Sequence, residues 1–561
     1  MKSLKTLNKY FLRYRTRLVL GVIFILCSNA AQVYIPILLK DSIDALQKEI
    51  SYSIILEYSA LIVGVALIGG FFRFLIRTSI IIVSRKIEFD LRSDFWEHIQ
   101  SLPSRFFQNT TTGNLMAHAT NDISAVRMYI GPAVMYSIDT FSKFIIVIII
   151  MLSLNPILTL YALIPLPLLS FFVYQLSKKI HVKFTRIQEK FSELTSKAQE
   201  SFSGIRVVKS YVRENNEIDH FNDLSKDYLK RNMEKVKIQA FFMPMLFLIT
   251  GVSVIVIMWI GGSMVINGEL TLGEIVAFVA YLSLLIWPVI AFGWVINIVQ
   301  QASASMKRLL KIFGERDDVQ DNENTDRTIT QLHGDIEFRN VTFKYAPESP
   351  EVLSNLSFKI RRGETLAIIG HTGSGKTSLI NLIPRLFDVS RGEILIDGNN
   401  VKTIPKSILR KSIGLVPQET FLFSDTLSNN IAFGVEDADN ETIETVSEIS
   451  QIKKDIETFS EGYGTVLGER GITLSGGQKQ RTSLARALAV NPKILILDDS
   501  FSAVDTNTEE EILNNLNQFM SGRTSIIISH RISTVKNADN IIVLDNGRIV
   551  EEGNHEQLLE L

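Results

Sequence analysis

Polar and apolar positions divide the chain into two unlike halves. In the first, residues 18–39, 144–177, 239–268 and 275–306 carry no formal charge, and each run is long enough to cross a bilayer core, which takes about 20 helical residues. The 144–177 run is too long for one crossing and is interrupted by Asn155-Pro156. It predicts a tight hairpin whose first helix begins near Ala133. A less clean apolar stretch near 54–84 contains Glu57, Arg73 and Arg77. The pattern therefore predicts six spans, at about 18–39, 54–84, 133–154, 157–177, 239–262 and 275–300. Two polar segments between them, 85–132 and 178–238, show helical periodicity of charged and apolar residues. Structureless loops of that length are uncommon, so the spans are expected to continue as helices beyond the membrane.

After Met306 the apolar pattern stops. Residues 315–334 are acidic and polar and read as a linker. From 335 to 561 short β-rich runs alternate with helical patterns, as in an α/β domain. Residues 336–345 alternate like a half-exposed strand. Residues 365–369, 493–497 and 524–528 are β-rich runs with apolar residues on both faces, the mark of buried parallel strands.

Charge sets the expected orientation. Lys2, Lys5, Lys9, Arg13, Arg15 and Arg17 precede the first span with no acid among them, and the 178–238 segment holds fourteen Lys and Arg. The Asn155-Pro156 turn and residues 264–272 hold none. Cytosolic loops collect basic residues, so both termini are expected in the cytosol. Ser28-Asn29-Ala30 after a basic start resembles a signal-peptide cleavage site, but the apolar run continues well past it, and losing one span would put the C-terminal half on the wrong side. A net charge of −1 gives no sign of a nucleic-acid partner, and the one cysteine, Cys27, rules out an intrachain disulfide and any multi-cysteine metal site. Mean hydropathy of +0.19 agrees with a surface partly in lipid.

The second half carries the candidate chemistry. Gly370-His371-Thr372-Gly373-Ser374-Gly375-Lys376-Thr377 fits G-x-x-x-x-G-K-[ST] and lies between a predicted strand and a predicted helix, with Ser378 next in line. Glycines let backbone N–H groups approach phosphates; the lysine reaches the β- and γ-phosphates and the Thr377 hydroxyl holds Mg²⁺. Asp498 ends a buried strand, which is how a second Mg²⁺ group, a carboxylate, is delivered. Alone, this pair indicates only a P-loop nucleotidase.

Leu474-Ser475-Gly476-Gly477-Gln478 makes the pattern specific: the chain resembles an ATP-binding cassette exporter. Supporting residues fall in that family's order. Tyr345 resembles the aromatic that stacks on adenine, with a plain strand-edge tyrosine as the alternative reading of the residue. Gln418 resembles the Q-loop glutamine, a Mg²⁺ and coupling residue. Gly468-Glu469-Arg470-Gly471 precedes the signature as in exporters, Ser502-Ala503-Val504-Asp505 resembles the D-loop, and His530 resembles the switch histidine at the γ-phosphate. Thr112-Gly113-Asn114-Leu115 with Thr120-Asn121-Asp122, and 200–209, resemble the segments that contain coupling helices.

The resemblance implies an α-helical polytopic membrane domain, residues 1–314, fused through the linker to an α/β P-loop nucleotide-binding domain. It implies ATP and Mg²⁺ as cofactors, a dimer with a second half-transporter, and a place in the cytoplasmic (inner) membrane among membrane lipids. The transport cycle it implies is alternating access driven by ATP, exporting or flipping a hydrophobic or amphipathic substrate such as a drug, lipid or peptide. Ser475, Gly476, Gly477 and Gln478 complete the ATP site of the facing subunit. Where the family usually has a glutamate that positions water, this chain has Asp499, one methylene shorter. That makes a heterodimer with one weak ATP site the slightly favoured expectation over a homodimer, with Asp499, His530, Gln418 and Lys376 as catalytic candidates. An ATP-gated channel or regulatory subunit with little turnover is the alternative. Within the membrane, Asp139 and Lys143 stand one helical turn apart and read either as a cavity pair or as a structural ion pair.

Overall fold

The uncharged runs fold as helices that outrun any bilayer. Among the described residues five are long and apolar enough to cross one: Arg15–Lys48, Tyr52–Ser101, Thr112–Leu154, Glu214–Ile266 and Leu272–Phe313. At 1.5 Å per residue the 50-residue second helix is about 75 Å long against a core of about 30 Å, so the polar segments are extensions of the spans. The computed structural model describes residues 2–317, 319–468, 471 and 474–560. It divides into two units, Met1–Gln100 with Gly113–Gly314, and Ser101–Thr112 with Glu315–Leu561.

The fourth span departs from expectation. It comes as two helices, Pro156–Leu163 and Pro165–Ser203, interrupted at Ile164, because Pro165 has no N–H to donate and its ring crowds the preceding turn. The Asn155 turn behaves as expected: the Asn155 side chain accepts from the Leu158 N–H at 2.9 Å and caps the next helix. The third helix contains two wider turns, His118–Asp122 and Tyr129–Ala133, the latter around Pro132.

Buried polar groups tie the helices of the membrane unit together. Lys143 is 6 % exposed, with its Nζ 3.5 Å from Asp139 Oδ2, and Asn29 Nδ2 donates to the Asp139 carbonyl at 3.0 Å. This is a structural ion pair on the first–third helix seam. Asp122 is also buried and accepts from Ser305 at 2.8 Å, from Arg308, and from His118 at 2.6 Å, joining the third helix to the last. Thr120 and Asn121 are exposed, but Asp122 is not part of a solvated helix face. The short helix Ser104–Asn109 precedes the motif expected to hold the first coupling helix, and Ile205–Ser210 overlaps the end of the second.

Burial disfavours the Asp122 charge, but the hydrogen bonds from Arg308, His118 and Ser305 outweigh it and hold the carboxyl below its ordinary value of 3.8. Its contribution to stability is thus complete above that ordinary value and fades as pH falls through the lower folded value. Asp122→Ala is expected to cost about 2 kcal/mol, since the buried Ser305 hydroxyl loses its acceptor while the half-exposed Arg308 recovers solvent. A thermal melt that does not move refutes the assignment.

The second unit holds two sheets. Strands β1 (Ile336–Phe343), β2 (Leu353–Ile360), β4 (Arg391–Ile396) and β5 (Asn399–Asn400) form an antiparallel sheet ordered β2-β1-β4-β5. The other sheet is ordered β10-β9-β3-β8-β7-β6, from β3 (Thr365–Ile369), β6 (Ile413–Val416), β7 (Ile494–Asp498), β8 (Thr524–Ile528), β9 (Asn540–Asp545) and β10 (Arg548–Gly553). Its four pairings from β9 to β6 are parallel and only β10 runs antiparallel. The three runs apolar on both faces are the neighbours β3, β8 and β7, as double-sided burial requires. One apolar cluster fills the space between the sheets and includes Leu379, Ile380 and Leu382 of the helix after the P-loop. A second lies beyond β7 and includes Leu474, Leu484 and Leu488 around the signature helix.

The expected linker is not free. Asp321 accepts from the Lys406 N–H at 3.1 Å, Asp317 pairs with Lys406 Nζ at 3.2 Å, and Asp326 N–H donates to the Thr403 carbonyl at 2.8 Å. Its acidic residues fasten it to the nucleotide-binding unit.

Candidate ATP site

Strand register assembles the site. Ile368 pairs with Ile528, and Ile528 with Asp498, so β3, β8 and β7 end level with one another. The segments that follow, 370–377, 529–530 and 499–505, emerge along a single edge, where open α/β sheets bind ligands.

The P-loop is shaped by close approach. A Cβ on Gly370 would stand 2.2 Å from the Leu544 carbonyl oxygen, and Gly375, at φ +103°, would stand 2.7 Å from Leu353 Cδ2. Only glycine fits both places. Lys376 Nζ donates to the Gly370 and His371 carbonyls at 2.8 and 2.9 Å, folding the ammonium back over the loop. Burial pushes that ammonium below its ordinary range, against the opposing charges of Asp498 and Asp499. The buried Ser374 hydroxyl has no partner among the described residues. His371, Thr372 and Gly373 are exposed.

Thr377 Oγ1 donates to Asp498 Oδ2 at 2.9 Å. Asp498 is 2 % exposed, and burial pushes its carboxyl above the usual range despite the Thr377 bond, with the Asp499 charge adding to the rise. A buried carboxylate beside a second carboxylate and a hydroxyl is short of positive charge, and a divalent cation suits that donor set. Asp499 itself adopts φ +46° with its N–H on the Ile528 carbonyl at 2.9 Å.

Tyr345 follows β1, half-buried and edge-on to Phe343 and Phe387 at 4.8 and 5.3 Å, and its hydroxyl meets Ser378 Oγ at 2.8 Å. Ser378 thus anchors the tyrosine to the P-loop helix. Gln418 lies exposed beyond the end of β6, and His530 is exposed beyond β8. Glu469 and Arg470 lie outside the described residues.

The signature opens the helix Gly476–Ala489. Ser475 Oγ accepts from Gln478 N–H at 3.3 Å, and Gln478 Oε1 accepts from Ser475 N–H at 2.9 Å, a reciprocal cap. Several residues that sequence reasoning passed over fix this element. Gln480 joins the Ser502 hydroxyl and the Ala503 N–H, both at 2.9 Å. Asp455 receives Gln478 Nε2 at 2.8 Å and pairs with Arg481 at 2.8 Å. Glu509, buried, receives Thr534 Oγ1 at 2.6 Å and pairs with Arg531, next to His530. These are long-range pairings without a local sequence signal. A Cβ on Gly477 would sit 2.8 Å from the Ala503 carbonyl oxygen. Gly477→Val is therefore expected to displace the 502–505 turn and cut ATP turnover of the assembled transporter by on the order of 10²-fold; unchanged turnover would contradict the packing.

Comparison with known proteins agrees. Residues 18–289 match the ABC transporter transmembrane region and residues 353–502 match the ABC transporter domain. The chain is 35 % identical over 569 residues to the probable multidrug resistance ABC transporter ATP-binding/permease protein YheI of Bacillus subtilis, covering 99 % of this chain and 95 % of that protein. It is 35 % identical to the multidrug resistance-like ATP-binding protein MdlA of Escherichia coli, with 100 % and 95 % covered. Against the ATP-dependent lipid A-core flippase of Desulfotalea psychrophila it is 34 % identical, with 96 % and 94 % covered. The structure of a bacterial Atm1-family ABC exporter with ATP bound superposes with a TM-score of 0.80 at 26 % identity, covering 97 % of this chain and 96 % of that one. The chain belongs to the ABC transporter family, as a half-transporter of the exporter kind in which a multi-pass helical membrane domain is fused to its nucleotide-binding domain.

Proposed function

We propose that this chain is one half of a dimeric pump that uses ATP to export or flip an amphipathic drug-like or lipid-like substrate, with both termini in the cytosol and its spans in the cytoplasmic membrane. The observation that carries the reading is the division of the ATP machinery between two cores. The P-loop helix belongs to the cluster between the sheets, and the signature helix belongs to the cluster beyond β7. Lys376, Thr377 and Asp498 form a nucleotide cradle lacking an opposite wall, and Ser475, Gly476, Gly477 and Gln478 present a capped helix start with no phosphate cradle of its own. Two copies, or two related chains, supply each other's missing wall.

In this reading Gly370–Thr377 wraps the phosphates, Tyr345 supports the base, and Thr377, Asp498 and Gln418 hold Mg²⁺, which neutralises phosphate charge when bound. Asp499 and His530 serve the attacking water. The short Asp499 side chain supports a heterodimer in which this site mainly binds ATP and the intact signature serves the partner's hydrolysis. For the substrate, a cavity of about 1110 Å³ runs between the third, fourth and last helices, lined by Tyr136, Thr140, Tyr174, Phe292 and Gln300 among others, and its aromatic walls suit an amphipathic body. Transport of a fluorescent amphipath into inverted vesicles tests the pump. Uphill uptake that needs ATP hydrolysis and is lost in the Ser475→Arg chain supports it; downhill flux that ATP binding opens without hydrolysis would instead make the chain an ATP-gated channel.

A further inference from the structure

The second helix carries two arginines that nothing above employs. Arg73 and Arg77 are four residues apart, hence on one helix face, and both are exposed. Neither has a hydrogen bond or ion pair among the described residues. Their depth follows from the first helix, which packs antiparallel to the second. Ser28 Oγ donates to the Gly69 carbonyl at 3.2 Å, and Gly21 lies against Ile80, where an added Cβ would stand 2.5 Å from the Ile80 side chain. Interpolating between these contacts and taking 1.5 Å per residue puts Arg73 about 11 Å and Arg77 about 7 Å beyond Leu18, the start of the uncharged run. Arg77 can reach the interface by extending its side chain, as arginines do; Arg73 starts too deep to do so fully.

A charge at that depth calls for a countercharge, and among the described residues none is free to supply it. Along the same helix Glu57 is about 24 Å further out, and Glu88, on the cytosolic side, is already shared by Arg85, Arg92 and Arg127 at 3.0, 3.0 and 3.5 Å. Asp139 is taken by Lys143. Next to Arg73 on the same face, Gly70 is exposed and has nothing within 4 Å of where a side chain would begin. The arginine face thus continues to one open position at Gly70, bordered by the exposed side chains of Leu67, Phe71 and Phe74.

We propose that Arg73 and Arg77 bind the phosphate headgroup of an anionic lipid or lipid-like amphipath drawn from the cytosolic leaflet, with its chain lying over Gly70 against Leu67, Phe71 and Phe74. Guanidinium forks suit phosphate oxygens, and phosphate is what that leaflet supplies. The site rests on the orientation and the export reading proposed above and names the headgroup class that such a pump would take in.

The test uses the full chain in its dimer, purified in detergent and titrated with a phosphatidic acid bearing a fluorescent acyl chain. A fluorescent ATP analogue is titrated in parallel. Arg73→Ala/Arg77→Ala is expected to weaken lipid binding roughly 30-fold with ATP affinity unchanged, while Arg73→Lys/Arg77→Lys recovers most of it. Unchanged lipid affinity in the double variant overturns the proposal. So does equal affinity for the phosphatidylcholine counterpart. Competition by millimolar inorganic phosphate would mark a plain anion site and overturn the lipid assignment. If the double alanine chain no longer binds ATP, Arg73→Gln and Arg77→Gln carry the test singly, and the absence of weakening in both refutes it. Lys376→Ala should leave lipid binding intact while removing transport, so failure of the pump reading and failure of this site give different results.

Discussion

Lys376→Ala is expected to lower the affinity of the purified chain for a fluorescent ATP analogue by on the order of 10²-fold, and to abolish ATP-dependent transport by the dimer. The ammonium is held against the Gly370 and His371 carbonyls, so before nucleotide arrives it neutralises the loop's own oxygens. Burial makes its charge costly there, and a phosphate that replaces those carbonyls as its partner relieves the cost. Without the lysine the loop keeps its glycine-determined path, because Gly370 and Gly375 are fixed by contacts with Leu544 and Leu353. The variant should therefore stay folded, with its melting temperature moved by only the equivalent of about 1 kcal/mol, and fail to bind. ATP affinity that survives the substitution would remove Lys376 from the phosphate site.

Some of this architecture could be read from the chain because its signals are local. The uncharged runs, the glycine-rich loop after Thr365–Ile369 and the Ser475–Gln478 cap each lie within a few residues, and backbone geometry follows from them directly. The structure then brings Gly370, Asp498 and Ser529 to one sheet edge by register, which apolar strands of equal length favour. Other features were hidden because they depend on distant partners. Asp122 reads as a surface residue until Arg308, 186 positions later, is folded against it. The acidic linker reads as free until Lys406 receives it. Lys143 reads equally as a cavity residue or a structural one, and Asp139 and Asn29 decide for the second. The fourth span hid a different effect: its composition is apolar, but Pro165 breaks the backbone at a place where hydropathy is silent. Glu509, Asp455 and Gln480 escaped notice because a lone acid or amide on a helix is usually solvated.

Asp499→Glu is expected to raise ATP turnover at this chain's own site, and two opposing effects set the size. Lengthening the side chain by one methylene moves the carboxylate about 1 Å toward the attacking water, a displacement that can change rates on the order of 10²-fold. Against that, residue 499 sits at φ +46°, a left-handed conformation that aspartate tolerates better than glutamate; the penalty of about 1 kcal/mol would take back roughly fivefold if it is felt on the way to the transition state. Reach wins, leaving a net gain on the order of 10-fold in phosphate release from the chain assayed without another half-transporter. Brisk turnover by the unaltered chain with no gain in the variant would mean that Asp499 already serves as an adequate base, and the degenerate-site heterodimer would lose its chemical basis. A gain accompanied by loss of transport in the paired transporter would carry a further meaning. The short, left-handed aspartate would then set the timing of the cycle, holding ATP at one site while the signature Ser475–Gln478 serves hydrolysis at the other.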